Sequence, residues 1–413
     1  MPFRIALSGL NAATTDLEVT GNNIANAATN GFKESRAEFA NLYASAISDT
    51  STGPGQGVQV ARVAQQFSQG SVDFTSNNLD LAISGQGFFV LEGTDGTVRY
   101  TRAGAYSVDR DGNVINQAND RLQVYPATLG SDGSTIFNTG VLQDLSLPTT
   151  PSAPTPTSNL AASLNLNSSD PVPTAVFDPL NPSSYNSSTS TTVYDTLGNA
   201  HTSTLYFRKT AAGAWDGYMY VDGNPVTNGA PPTADFQLGF SSSGALTTPA
   251  TGQITMNPFT PTGGAADLNM TLDFSGTTQY GSAFAVNNLS QDGYTSGRLA
   301  GVDIDSDGVI FARYTNGQSS ALGKVALAKF NNNQGLRQLG DTNWAESFES
   351  GTAQLGEAGT SSFGQIQSGA LEASNVDIAS ELVNLITAQR NFQANSEVIS
   401  SADAITQTII NIR

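Results

Sequence analysis

The chain has no cysteine among its 413 residues, which excludes a disulfide framework, a zinc–thiolate site and a thiol nucleophile. Basic residues are scarce: 17 Lys and Arg stand against 35 Asp and Glu, for a formal net charge of −18. They form no cluster. Phosphate binding needs concentrated positive charge, so nucleic acid and anionic membrane surfaces are poor partners. There is a single histidine, His201, so a zinc site or a Ser-His-Asp triad would have to be completed from unrelated residues. No apolar run approaches the roughly 20 residues of a membrane-spanning helix. The opening residues lack the roughly 7–15-residue apolar core of a secretory leader and so do not read as a cleavable signal peptide. Charged residues make up only 13% and apolar ones 38%. The polar remainder is mostly Ser, Thr, Asn, Gln and Gly, which suits exposed strands, turns and neutral packing surfaces. Proline is absent after Pro261, and 15 of the 17 prolines lie between Pro126 and Pro261.

Present at both ends is one interrupted amphipathic pattern. Phe3, Leu7, Leu10, Thr14, Leu17, Gly21, Ile24 and Ala28 recur at alternating spacings of four and three. Ile378, Leu382, Leu385, Gln389, Phe392, Ser396 and Ile399 do the same. Such spacing lays an apolar stripe along one face of a helix. The first helix is predicted from about Phe3 to Ala28, closing near Asn30-Gly31. Ser374 followed by Asp377 predicts a capping-box start for the second, and no Pro or Gly interrupts Leu371 to Arg413. Past Ile399 the stripe shifts to Val398, Ala402, Ile405, Ile409 and Ile412, a face wider than a two-stranded seam. Stripes this long must be buried against each other or against neighbouring copies. The polymerisation interface expected from them is Leu7, Leu10, Leu17, Ile24, Ile378, Leu382, Leu385, Phe392, Ile399, Ile405 and Ile409. A subunit that polymerises through its ends follows, and an enzyme does not.

Between the ends the pattern is β. After a possible short helix from Ser35 to Ile47 and a Gly-rich stretch, Gly53 to Gly57, strand-like runs begin at Val72. Leu79 to Ile83, Gly87 to Leu91 and Val98 to Thr101 are separated by turn signals at Asp95-Gly96 and Asp111-Gly112. Pro148 to Pro156 reads as an extended linker. A Ser/Thr/Gly-rich β region follows, and a further β segment contains Asp305-Ser-Asp-Gly308, which echoes Asp109-Arg-Asp-Gly112. The fold class expected is mainly β with α-helical termini that pair as a coiled-coil-like inner domain. Its divisions are a terminal helical domain (1–31 and 374–413), a connecting segment (32–71 and 365–373), a split β domain (72–151 and 293–364) and an inserted outer β domain (152–292).

Chemistry-bearing patterns are few. Asp303-x-Asp305-x-Asp307-Gly308 opens like a calcium-binding EF-hand loop, but Tyr314 stands where a bidentate Glu belongs, and the flanks read as strand. It reads as an acidic hairpin turn. His201 reads as a solvated hairpin histidine, Gly85-x-Gly87 as a tight turn before a buried strand, and Trp215 and Trp344 as core or interface anchors. No catalytic residue, metal ligand or cofactor is expected.

Two terminal segments resemble the rod, hook and hook-associated subunits of the bacterial flagellar axis. At the N-terminus they are Ser8-Gly-Leu-Asn-Ala12, Asn22-Asn23-Ile-Ala-Asn26 and Thr29-x-Gly31-Phe32-Lys33. At the C-terminus they are Gly369-Ala-Leu-Glu372-Ala-Ser374-Asn375-Val-Asp377, Glu381-Leu-Val-Asn384 and Gln389-Arg390-Asn-Phe392. Leu79 to Phe89, Tyr100 to Gly104, Asp170 to Pro173, Thr192 to His201 and Ala353 to Gly356 are similar to the hook branch of that family. The resemblance implies a helical tube with terminal helices lining an inner channel and β domains outside, a universal joint that carries motor torque from rod to filament. It also implies export through the flagellar type III pathway to an extracellular hook. The partners implied are further copies of the chain, the distal rod protein, the hook cap protein, the hook–filament junction protein and the export apparatus. Two alternatives remain open: a distal rod subunit, which would lack the large central insertion, and a secreted carbohydrate-active enzyme or adhesin, which would not explain the terminal stripes.

Overall fold

The computed structural model describes residues 2–42, 55–130, 134–226, 234–360 and 362–411, with the side chains of Pro2 and of 409–411 not among them. Helix α1 spans Pro2–Ala25 and helix α2 spans Ile378–Asn411. Helix α1 ends three residues short of the expected Ala28: past Asn26 the Ala27 and Thr29 amides bond only three residues back, to Ile24 and Asn26 at 3.3 and 3.1 Å, and the Asn26 side chain donates to the Asn22 carbonyl at 3.0 Å. Gly31 then takes the left-handed φ of +71°. The start of α2 also differs from expectation. Asp377 alone is the cap, its Oδ1 accepting the Ala379 and Ser380 amides at 2.8 and 3.2 Å. The Ser374 hydroxyl instead accepts the Val376 amide within the preceding turn.

The helices pack antiparallel, and the seam between them is not the apolar stripe. From α1 it takes Ala6, Ala13, Thr20 and Asn23, all buried, with Gly9 so close that an added Cβ would lie 2.5 Å from Asn395 Oδ1. From α2 it takes the buried Glu381 and Ala388 and the half-buried Leu385, Phe392, Asn395, Ile399 and Ala402. Both sets repeat at threes and fours, so the seam is heptad-like, and its small α1 residues let the axes approach closely.

The chain divides into two compact units, one of Met1–Thr149, Gly301–Arg313 and Ser319–Arg413, the other of Thr150–Ala300 and Tyr314–Gln318. In the first, the expected helix from Ser35 to Ile47 is absent. Ser35–Asn41 is a strand, paired antiparallel with Val58–Gln65 around a bulge and laid against α1, while 43–47 lie outside the described residues. The main sheet of this unit carries Phe88–Glu92, Arg121–Leu129 and Ser319–Lys329 at its centre, each with a run of four consecutive buried residues. Phe88, Tyr100, Phe330 and Trp344 interlock edge-on beneath it at centroid distances of 4.8 to 6.0 Å.

In the second unit Asn159–Asn167 runs parallel to Thr271–Asp273 and Thr278–Tyr280 and antiparallel to Ala285–Gln291. A meander of Ser187–Tyr194, Ala200–Ala211, Ala214–Val221 and Phe236–Phe240 faces it across a core of Leu, Phe and Met side chains around the buried Trp215. The echo between Asp109 and Asp305 has a local cause, shared by Asp195. In each case Oδ1 accepts two amides of its own turn at 2.8 to 3.0 Å, and a glycine at positive φ (Gly112, Gly198 or Gly308) follows three residues on.

Candidate assembly surface

The seam uses up only part of each helix's apolar surface. Leu7 is exposed, Leu10, Leu17 and Ile24 are half-buried, and Leu7, Leu10 and Ile24 each sit one position beyond an α1 seam residue. On α2, Leu385, Phe392 and Ile399 turn partly into the seam. Ile378, Leu382 and Ile405 remain 52%, 47% and 62% exposed, joined by Val383, Ile386 and Val398. The side chain of Ile409 is outside the described residues. The paired helices thus leave these apolar side chains without cover among the described residues, far more than isolated surface hydrophobes.

Two polar clusters fix this pair on the β body. At the base of the seam, the buried Asn23 holds Ser35 by both amide atoms, with Nδ2 2.7 Å from its carbonyl and Oδ1 2.9 Å from its amide. The same Nδ2 reaches Glu381 Oε2 at 3.1 Å, and Asn384 donates to Glu381 Oε1 at 2.9 Å. Burial first, and then the Glu381 charge, lifts the carboxyls of Asp16 and Glu34 above the ordinary range.

The second cluster escaped sequence reasoning. Glu372, 0% exposed, pairs through Oε1 with Lys33 Nζ at 2.5 Å and through Oε2 with Arg102 Nη1 at 3.0 Å. Its Oε1 also accepts the Gly70 amide at 3.1 Å, and its carbonyl accepts the Gly31 amide at 2.7 Å. Lys33 further donates to the Ser68 carbonyl and Arg102 to that of Gly85, both at 2.8 Å. Burial pulls both cations below their ordinary pKa values, and Glu372 opposes that pull. Gly31 fits because a Cβ there would lie 2.4 Å from the Ala103 amide nitrogen, besides its positive φ. Asn375 completes the joint, accepting the Glu34 amide at 2.7 Å and donating to the Gln66 carbonyl at 2.8 Å. The available signal was a lone Glu within Ala370-Leu371-Glu372, a strand with two buried residues of three. Of the other motif residues, Phe32 and Ser374 are half-buried, and Asn22, Gln389 and Arg390 are exposed.

His201 departs from the solvated residue expected. It is 8% exposed, with Nδ1 2.6 Å from Asp222 Oδ2 and Nε2 3.3 Å from Asp195 Oδ2. Asp195 in the turn between strands Ser187–Tyr194 and Ala200–Ala211, and Asp222 in the turn that follows strand Ala214–Val221, bring both carboxylates to the ring. Burial alone would lower the imidazole pKa, but the two hydrogen bonds and charges outweigh it and raise it. Trp215 and Trp344 are both core residues. Among the described residues no group of three His, Asp or Glu side chains is placed to hold a metal ion, and no helix is long and apolar enough to cross a membrane.

Comparison with known proteins agrees along the whole chain. Family models match at residues 3–33 (flagella basal body rod protein), 82–152 (flagellar hook protein FlgE/F/G D1 domain), 165–294 (flagellar basal body protein FlaE D2 domain) and 367–412 (flagellar basal body rod FlgEFG protein C-terminal). The flagellar hook protein FlgE of Salmonella typhimurium is 40% identical over 417 residues, covering all of both chains. That of Escherichia coli K12 is 41% identical over 418 residues, again all of both chains. The crystal structure of Helicobacter pylori flagellar hook protein FlgE2 shares the fold, with a TM-score of 0.54 and 16% identity over 73% of this chain and all of that one. With such identity from end to end, the chain belongs to the flagellar hook protein family.

Proposed function

We propose that the chain is the structural subunit of a bacterial flagellar hook, and that copies join through the apolar strip left open on the α1–α2 pair. The observation that carries this is the exposure of Ile378, Leu382 and Ile405 beside a seam already filled by smaller residues. A strip that one copy cannot cover needs a different surface of the next copy, which is the head-to-tail contact of an open helical polymer. In this reading the helices (1–31 and 374–413) line an inner channel and the inserted β domain (152–292) faces outward. The outer strand Ser187–Tyr194 exposes Ser188, Ser190 and Thr192. Such hydroxyls exchange hydrogen bonds with water at little net cost, so outer contacts can shift as a hook bends under torque. Distal rod, cap and junction proteins would meet the same strip or its ends, and the subunit would reach the exterior through the flagellar export channel. Electron microscopy of the polymer formed by the intact chain tests the reading. A hollow tube whose wall is built on the terminal helices is expected, and a chain that stays monomeric under every assembly condition would refute it.

A further inference from the structure

We infer that Glu372 is the positioning residue that docks both chain ends onto the β body in a single step; this rests on the hook-subunit reading. Its partners come from three distant stretches: Gly31 and Lys33 before strand Ser35–Asn41, Gly70 after strand Val58–Gln65, and Arg102 on the β body, with Glu372 itself leading into α2. If the N-terminal stretch alone lifted away, Glu372 would lose Lys33 and the Gly31 amide. If the C-terminal stretch lifted, two buried cations would lose the one carboxylate that pairs with them among the described residues, where Arg102 Nε already has no partner. Each half-docked state therefore breaks part of the cluster: without the N-terminal stretch Glu372 keeps Arg102 alone, and without the C-terminal stretch both cations lose Glu372, so the ends are held best when docked together. Ion pairs of this kind are poor sources of stability compared with apolar packing, so the gain lies in coupling. One consequence is that α1 and α2 take up a defined position on the body together, and the apolar strip is presented whole or not at all.

The test uses the full-length chain with Glu372→Gln, Lys33→Met and both together, read by the critical concentration for polymerisation and by amide exchange in the polymer. Glu372→Gln keeps the shape but strands two cations, and should raise the critical concentration on the order of a hundredfold. Lys33→Met leaves Glu372 paired with Arg102, so its rise should stay within about tenfold. The double variant should fall below Glu372→Gln alone, since removing Lys33 removes one stranded charge. In Lys33→Met polymer the Gly31, Gly70 and Ala373 amides should all exchange faster by a common factor. Additive effects, a Glu372→Gln chain that assembles like the wild type, or faster exchange at Gly31 alone would each overturn the assignment. A wild-type chain that never polymerises would instead refute the hook-subunit reading.

Discussion

Leu382 and Phe392 both belong to the apolar pattern of α2, yet the structure gives them different surroundings, and placing Asp at each should separate cohesion between copies from cohesion within one. Leu382 is 47% exposed and off the α1 seam. Phe392 is half-buried within it. Covering the open half of a leucine with another copy is worth about 1 kcal/mol, so Leu382→Ala should raise the critical concentration roughly fivefold. Leu382→Asp places an unpaired carboxylate in that contact, and a cost of about 4 kcal/mol or more corresponds to roughly a thousandfold rise. Phe392→Asp should also abolish polymer, but by loosening the helix pair of each copy. Sedimentation gives the polymer fraction, and Cys pairs introduced across the seam report the helix pair. Seam cross-linking should survive Leu382→Asp and fail in Phe392→Asp. If Leu382→Asp assembles at the wild-type concentration, the strip is not a subunit contact and the reasoning fails.

Asp16→Asn should strengthen α1–α2 docking at pH 7. The carboxyl is raised by burial and by Glu381, so its ionised form destabilises the docked state, and this penalty disappears as pH falls through the folded pKa. Amide exchange of the two chains should converge on acidification, and an equal gap at every pH would contradict this. His201→Gln should flatten the pH dependence of the second unit's unfolding. The raised imidazole contributes stability fully below about 6.5 and loses it as pH rises through the folded value, while Asp195 and Asp222, both lowered, contribute only above about 3.8. An unchanged slope between pH 6 and 9, on the order of the range where imidazole titrates, would refute it. Replacing 150–300 by a short Gly/Ser linker should leave a chain that still polymerises, with altered curvature or a straight tube. The Ser152 amide bonds the Gly297 carbonyl at 2.8 Å, so the two crossings run side by side and are easily rejoined. Loss of polymer from a folded body, or normal curvature and stiffness, would count against the division of roles.

Both terminal helices were legible because Leu, Ile and Phe at threes and fours dominate a hydropathy pattern. The seam was not, for the same reason. Ala6, Gly9 and Ala13 carry almost no hydropathy signal, and they matter by letting a second helix approach, which only geometry reveals. The ribbon strand Ser35–Asn41 was misread as helix because Ala37, Phe39 and Ala40 fit a helical period as well as a bulged strand, and its partner strand lies across the Gly-rich stretch. The surroundings of His201 depended on Asp195 and Asp222, which meet only through cross-strand register. Lys33, Arg102 and Glu372 are more distant still in sequence. Local pattern carries the elements, whereas burial of charge is set by topology, so the polar clusters were the part least available beforehand.

A heptad seam of small residues has a weakness: sliding by seven residues replaces alanine with alanine and costs little. The polar cluster at its base removes that ambiguity. In the observed register Asn23 faces Glu381, and Gly9 faces Asn395. A slip of one heptad toward the N-terminus of α1 would bring Asp16 opposite Glu381, two carboxylates in a site that already raises the pKa of Asp16. A slip the other way would carry Glu381 past the end of α1 at Ala25. Glu381 therefore sets register at some expense of stability, much as a single buried polar residue does in a coiled coil. Replacing Glu381 by Leu should preserve or raise helix content while admitting the slipped register. Because the chain contains no cysteine, introduced pairs report this cleanly. Gly9→Cys with Asn395→Cys should cross-link in the native register, and Gly9→Cys with Ala388→Cys only after a slip. The second pair should cross-link in the Glu381→Leu background alone. If Glu381→Leu chains cross-link solely through the first pair, packing rather than this carboxylate holds the register.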